Sequence, residues 1–411
     1  MGERERPRRK RQNTVRFRTS FSNTIYDVMC SRGWKETDSE TDWDLHWAER
    51  DWVYEVFDTM HLESWQRLNH YRNGRELCRK DLLVKNLKRR RRQLEREGQY
   101  DEARQYDFFP VTFVLPREYA MFVEEFKRSG GVWIMKPIGS AQGKGIFLFS
   151  RLQEIAEWRT DYRQSGRGGE KDKEAKPEAE AYIVQRYIAN PYLIGGKKFD
   201  LRLYVLVTSF SPLAVWIYRG GFARFSHSRY SAEPSDIANM FMHLTNVAIQ
   251  KTADNYDARS GGKWDLRSLK LHMTGRWGVE AVDRCFWNIQ MIIVRSLFAV
   301  QPVMIHDKHC FELYGYDVMI DDALKPWLIE VNASPSLAAS RMKLRPLPPA
   351  PPSSLGEREP VAHGEHARGL RAQVRDAERR ARRRRLRGEA RRRLRERRRL
   401  RPRVRQRLRR D

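Results

Sequence analysis

Between Phe311 and Ser336 (FELYGYDVMIDDALKPWLIEVNASPS) the chain carries acidic and amide groups where a buried strand would carry Val or Ile. Asp317 interrupts a first apolar run, and Glu330 and Asn332 fall two apart near the end of a second. Side chains alternate faces along a strand, so Glu330 and Asn332 share a face. The runs are joined by a short polar turn around Asp321 to Pro326, and pairing them as a hairpin could bring Asp317 to the same place. Three hard oxygen ligands beside an apolar sheet suit Mg2+, which favours carboxylate and amide oxygens together with phosphate. A hairpin with its polar residues turned to solvent would look the same from these residues alone.

Phosphate chemistry has support upstream. A strand-like run, Val132 to Met135, leads through Lys136 and Pro137 into a loop with glycines at 139, 143 and 145, and a second run follows from Ile146 to Phe149. A Gly-rich hairpin can close its backbone N–H groups over phosphates. The loop is neither a Walker A loop, which ends G-K-[ST] and opens a helix, nor a Rossmann turn. Further on, Lys198, Asp200 and Arg202 alternate with Phe199, Leu201 and Leu203, so one strand face is charged and the other buried. A solvated edge strand shares that pattern. Arg224 sits between Phe222 and Phe225, and His243 reads as a core histidine. No convincing nucleophile–base–acid triad appears.

Placing these groups requires sheets backed by helices. Val279 to Val300 reads as a long buried helix, Phe108 to Leu115 as a strand, and Arg117 to Arg128 as a helix opened by Pro116. Glu76 to Gly98 reads as helical. Its basic run, Lys85 to Arg92, is either a solvated face or a docking surface for a polyanion. Of the net charge of +27 over 411 residues, +18 belongs to 367–411 and +6 to 1–18, leaving +3 for 19–366. The basic character therefore belongs to two tails, and nucleic acid is an improbable partner for the near-neutral body. Ser165 to Ala181 is low-complexity, as expected of a mobile surface insertion. Four widely spaced cysteines without a C-x-x-C pair suit reduced thiols. With no apolar stretch of about 18 residues, a soluble cytosolic protein without a membrane anchor is expected.

Taken in order, WIMKP, GSAQGKGIFLF, QRYI, KKFDLRLYVLV, YRGGFARFS, HLTNVAIQK and FELYGYDVMID…WLIEVNASPS resemble the tubulin tyrosine ligase-like family, its polyglutamylase branch most closely. The resemblance implies a mixed α/β (α+β) chain with an ATP-grasp fold, in which ATP lies between two subdomains beneath the Gly-rich hairpin. The implied organisation is a basic disordered arm (1–18), an N-terminal α/β domain (19–115), a central subdomain (116–190) with a mobile insertion (163–181), a C-terminal subdomain (191–345) and a disordered Pro/Arg-rich tail (346–411). The family's ATP contacts match Lys136, Gln142, Gly143, Gln185, Arg186, Tyr187, Ile188, Lys198, Phe199, Asp200, Thr245 and Asn246. Its Mg2+ ligands match Asp317, Glu330 and Asn332, and its amino-acid contacts match Arg224 and Lys263. Gln142 also stands near the protein substrate, and Arg202 is expected at the phosphates. The implied activity is ATP- and Mg2+-dependent addition of free L-glutamate to the acidic C-terminal tails of tubulin through an acyl phosphate. Arg224 and Lys263 together suit a dicarboxylate. The alternatives are glycine ligation and a non-catalytic microtubule- or polyanion-binding role. The implied location is the cytoplasm and cytoskeleton, including the cilium and basal body.

Overall fold

Three sheets, each drawn from one stretch of sequence, organise the computed structural model, which describes residues 14–139, 143–155, 181–252 and 262–337. The first is parallel. It comprises β1 (Arg16–Thr19), β2 (Lys35–Glu36), β3 (Leu45–Trp47) and β4 (Arg67–Leu68), in the order β2-β1-β3-β4. The arm expected over 1–18 is thus too long. Arg16 and Arg18 belong to β1, where Phe17 is fully buried and Arg16 is paired with Asp42. Beyond β4 the expected helix over Glu76 to Gly98 appears as two, Arg75–Cys78 and Lys80–Arg96, broken where Arg79 takes an extended backbone. Leu83, Val84, Leu87 and Leu94 recur at helical spacing and are buried, while Lys85, Arg89 and Arg92 are exposed.

The second sheet is antiparallel. Its strands β5 (Thr112–Leu115), β6 (Trp133–Pro137), β7 (Phe147–Phe149) and β8 (Tyr182–Arg186) lie in the order β5-β8-β6-β7. The helix Tyr119–Ser129 drives Phe122 into it against Phe113, Trp133 and Phe149. The third and largest sheet comprises β9 (Leu193–Ile194), β10 (Lys197–Phe210), β11 (Leu213–Phe225), β12 (Lys263–Asp265), β13 (Glu312–Ile320) and β14 (Pro326–Ala333). Its main path is β12-β11-β10-β13-β14, with β9 paired to the start of β10.

Alternation in β10 divides the large sheet into two faces. Leu201, Leu203, Val205 and Val207 join Tyr314, Tyr316 and the buried stripe Ile289, Ile293 and Leu297 of the helix Val279–Val300 in one core. Each such side chain contributes about 1.5–3 kcal/mol through burial. Lys198, Asp200 and Arg202 necessarily take the other face. No helix among the described residues is long and apolar enough to cross a membrane. Most of the insertion at 163–181, and all of the tail at 346–411, lie outside the described residues, as does Gln142.

Candidate active site

The charged face of the large sheet and the second sheet enclose a cleft of about 890 Å³, within the size range of small-molecule sites. Lys136, Gly143, Gln185, Lys198, Asp200, Arg224, Thr245, Asn246, Asp317, Glu330 and Asn332 all line it.

On the large sheet, β13 and β14 pair antiparallel with Asp317 opposite Glu330 and Gly315 opposite Asn332. The register shifts between Asp317 and Val318, whose partner is Leu328, so Ile329 is the additional residue on β14. The bulge resolves a conflict of parity. Leu328 and Glu330 would share a face in a regular strand, yet Leu328 is core and Glu330 lines the cleft. Gly315 is required by close approach, since a Cβ there would lie 2.7 Å from Pro335 and 3.3 Å from Arg202.

The acidic pair is electrostatically lopsided. Asp317, only 2% exposed, receives Nε and Nη2 of Arg202 at 2.6 and 3.0 Å, and Nη2 of Arg224 at 2.8 Å. Burial pushes its carboxyl upward, but the two guanidiniums outweigh burial and hold it below the usual range. At Glu330 the balance is reversed. Burial first, and then the charge of Asp317, raise it, outweighing the downward pull of Lys80 and Lys136. Nδ2 of Asn332 donates to both carboxylates, at 3.3 Å to Asp317 and 3.2 Å to Glu330. Two crowded carboxylates whose repulsion raises one of them, with an amide that can turn its oxygen inward, form a donor set that fits a hard divalent cation.

Lys136 and Lys198 face the cleft with no carboxylate hydrogen-bond partner among the described residues. Lys136 donates to Gln185 Oε1 at 2.7 Å. Lys198 donates to the His243 carbonyl at 2.7 Å and the Tyr187 hydroxyl at 2.9 Å. Burial lowers Lys136 to about 8 and Lys198 to about 7, against the pull of Glu330 on the first and Asp200 on the second. Buried cations held only by neutral acceptors suit the arrival of an anion. At the second sheet's hairpin, Gly143 has φ +83°, where a side chain would be strained, and a Cβ there would fall 2.5 Å from the terminal methyl of Ile249 and displace it.

Other candidates take different places. Phe199 is in the core, edge-on to Tyr192 and tilted against Phe225, so only its backbone is available to a ligand. The Arg186 guanidinium binds the carbonyls of Ser129 and Gly130 at a helix end, although Arg186 lines the cleft beside Tyr187 and Ile188. Arg202 meets the cleft through Asp317. Arg224 grips Asp200 with both arms of its fork, at 2.7 and 2.5 Å. An incoming carboxylate must therefore share it or displace a partner. Lys263 pairs in register with Arg224 and lies 5.1 Å from the Phe222 ring, outside the cleft lining. Burial and then Lys251, Arg224 and Arg202 lower its pKa.

The sequence reading missed the contribution of the N-terminal region, where Arg50, Tyr54, Arg75, Arg79 and Lys80 also line the cleft. Lys80 draws the Glu330 carboxyl downward across more than 200 residues of chain. Its only local signal was an Arg-Lys pair at a helix start.

Comparison with known proteins gives this geometry a context. Residues 58–348 match the tubulin-tyrosine ligase family. The chain is 48% identical over 355 residues to a Bos taurus protein named probable tubulin polyglutamylase TTLL9, covering 81% of this chain and 76% of that one. It is 46% identical over 334 residues to a Caenorhabditis elegans protein named probable tubulin polyglutamylase ttll-9, covering 80% and 76%. A Tetrahymena thermophila protein named probable alpha-tubulin polyglutamylase is 44% identical over 340 residues, covering 79% and 81%.

Proposed function

Because the chain belongs to the tubulin-tyrosine ligase family, we propose that it is a tubulin polyglutamylase, a ligase that uses ATP to join free L-glutamate to glutamate side chains in tubulin tails. The observation that carries this reading is the juxtaposition in one cleft of two buried lysines facing two crowded carboxylates and an amide. In this reading the fold is an ATP-grasp fold, with ATP between the second and third sheets under the 139–145 hairpin. The domain divisions are near residues 115 and 190, and the basic segments at 1–13 and 346–411 serve association with the acidic surface of microtubules.

A carboxylate is a poor electrophile. An oxygen of the acceptor γ-carboxylate takes the terminal phosphoryl group of ATP, and ADP leaves. The amine of the incoming glutamate attacks the resulting acyl carbon, forms the isopeptide bond, loses a proton and expels phosphate. Such transfer needs positioning and charge neutralisation more than covalent participation. Lys136 and Lys198 hold the phosphate oxygens, and Thr245 and Asn246 lie on the same wall. Asp317, Glu330 and Asn332 would hold Mg2+, which supplies further neutralisation of the phosphates. Arg202 fixes Asp317 in place. Arg224 and Lys263 select an amino acid with a second carboxylate, with Arg224 exchanging part of its hold on Asp200 or Asp317 for the ligand. Action at the cytoskeleton, including that of cilia, follows from the substrate.

Mass spectrometry of tubulin tails incubated with the protein, Mg2+, ATP and either glutamate or glycine tests the reading. The expected product carries added glutamate only. Addition of glycine, or tails unmodified in every mixture, contradicts it.

A further inference from the structure

Ser334 follows the end of β14 with φ +50°, in a backbone region that side-chain-bearing residues seldom occupy. Its Oγ lies 3.2 Å from Nε2 of His70, and Nδ1 of His70 lies 3.0 Å from Oε1 of Glu312 at the start of β13. Oε2 of Glu312 accepts from the Tyr71 N–H at 3.3 Å and the Tyr314 hydroxyl at 2.9 Å. With Glu312 accepting, Nδ1 of His70 donates, and in the neutral imidazole Nε2 then accepts the Ser334 hydroxyl. His70 is 2% exposed and Glu312 1%. The approach is tight, since a Cβ on Gly74 would fall 2.9 Å from Glu312 Oε2. Backbone hydrogen bonds on both sides of Cys310 tie Leu68 to the same place, to His309 at 2.8 Å and from Phe311 at 2.9 Å.

One chain of hydrogen bonds, buried at Glu312 and His70, thus runs from the first residue of β13, through a histidine of the N-terminal region, to the exposed residue after β14. It closes the open end of the hairpin that carries Asp317, Glu330 and Asn332. The order hydroxyl–imidazole–carboxylate is that of a nucleophilic triad. Here, though, Asn332 and Ala333 line the cleft while Ser334 does not, so its hydroxyl stands outside the site.

We infer that His70 is a positioning residue for the metal-binding hairpin, holding the left-handed turn at Ser334, and with it Asn332 two residues earlier, through a hydrogen bond oriented by Glu312. The inference rests on the reading of Asp317, Glu330 and Asn332 as cation ligands. Partners that orient a ligand in this way typically change metal affinity about 10- to 100-fold.

The test is direct titration of Mn2+ into the full chain, followed by electron paramagnetic resonance of free Mn2+ without turnover, alongside thermal unfolding. Ser334→Gly removes the hydroxyl and relieves the backbone. It should keep or raise the unfolding temperature while weakening Mn2+ binding roughly 10-fold or more. Ser334→Asn tolerates positive φ and offers His70 a new hydrogen-bonding group, so it should recover most of the loss. His70→Gln should weaken Mn2+ binding as Ser334→Gly does. Wild-type Mn2+ affinity in both Ser334→Gly and His70→Gln overturns the inference while leaving the cation site standing. Failure of the unsubstituted protein to bind Mn2+ overturns the site reading, and this inference with it.

Discussion

The lysines and the arginines of the cleft are bound in opposite ways, although Lys198 and Arg202 stand four residues apart on one face of β10. Lys198 and Lys136 rest on neutral oxygens, the His243 carbonyl, the Tyr187 hydroxyl and the Gln185 amide. Arg202 and Arg224 are locked onto Asp317 and Asp200. A charge with only neutral partners is costly to bury and gains from an arriving anion. A bidentate pair is complete before any ligand comes. The lysines are therefore open to a ligand as they stand, whereas Arg202 serves the architecture that aims Asp317 and Arg224 must loosen one of its pairs before it can take a ligand.

The largest expected effect attacks the arginine side. Arg224→Ala leaves Asp200 and Asp317 buried beside an absent partner and should cost about 3–5 kcal/mol of stability, measured by denaturant unfolding. A loss of less than about 1 kcal/mol would erase the distinction. On the lysine side, Lys198→Met should alter stability by less than about 1 kcal/mol, because relief from burying a charge offsets the lost hydrogen bonds. It should weaken nucleotide binding roughly 10- to 100-fold, read by calorimetry.

A smaller effect separates the two groups by pH. Lys198 and Lys136 are lowered to about 7 and about 8, so the ligand-free protein sheds both charges between pH 6 and 9. Nucleotide affinity should fall over that range. Binding near pH 8 should take up protons, seen as a dependence of the binding enthalpy on the buffer's ionisation enthalpy. Stability moves the other way. The unfolded lysines keep their protons to about pH 10.4, so above pH 7 the unfolded state binds more protons than the folded one and these groups make stability rise with pH. Affinity that is flat with pH would place the charge with the arginines instead.

How much of this was legible in the sequence depended on the range of the cause. Strict alternation in Lys198 to Leu203 and the paired apolar runs around Asp317 and Glu330 are local signals, and they specified the charged face and the hairpin. The bulge at Ile329 was visible only as an inconsistency, an apolar Leu328 and an acidic Glu330 at the same parity, and only pairing resolves which residue gives way. The grip of Arg224 on Asp200 depends on the register of β10 with β11. The pairing of His70 with Glu312 joins residues 242 apart in the chain. The same holds for Arg50, Arg75 and Lys80 at the cleft, whose places are set by packing between distant segments and leave no periodic trace. The end of the basic arm was misplaced because Phe17, one buried residue among arginines, is a weak signal beside so many charges.

The most direct test of the account compares the unsubstituted chain with its Glu330→Gln variant in the incorporation of labelled glutamate into microtubules with Mg2+ and ATP. The substitution keeps the shape of the side chain and removes one of the two crowded charges. Incorporation by the unsubstituted protein, with a loss of roughly 100-fold or more in the variant, is the predicted result. Equal incorporation by both would contradict the account.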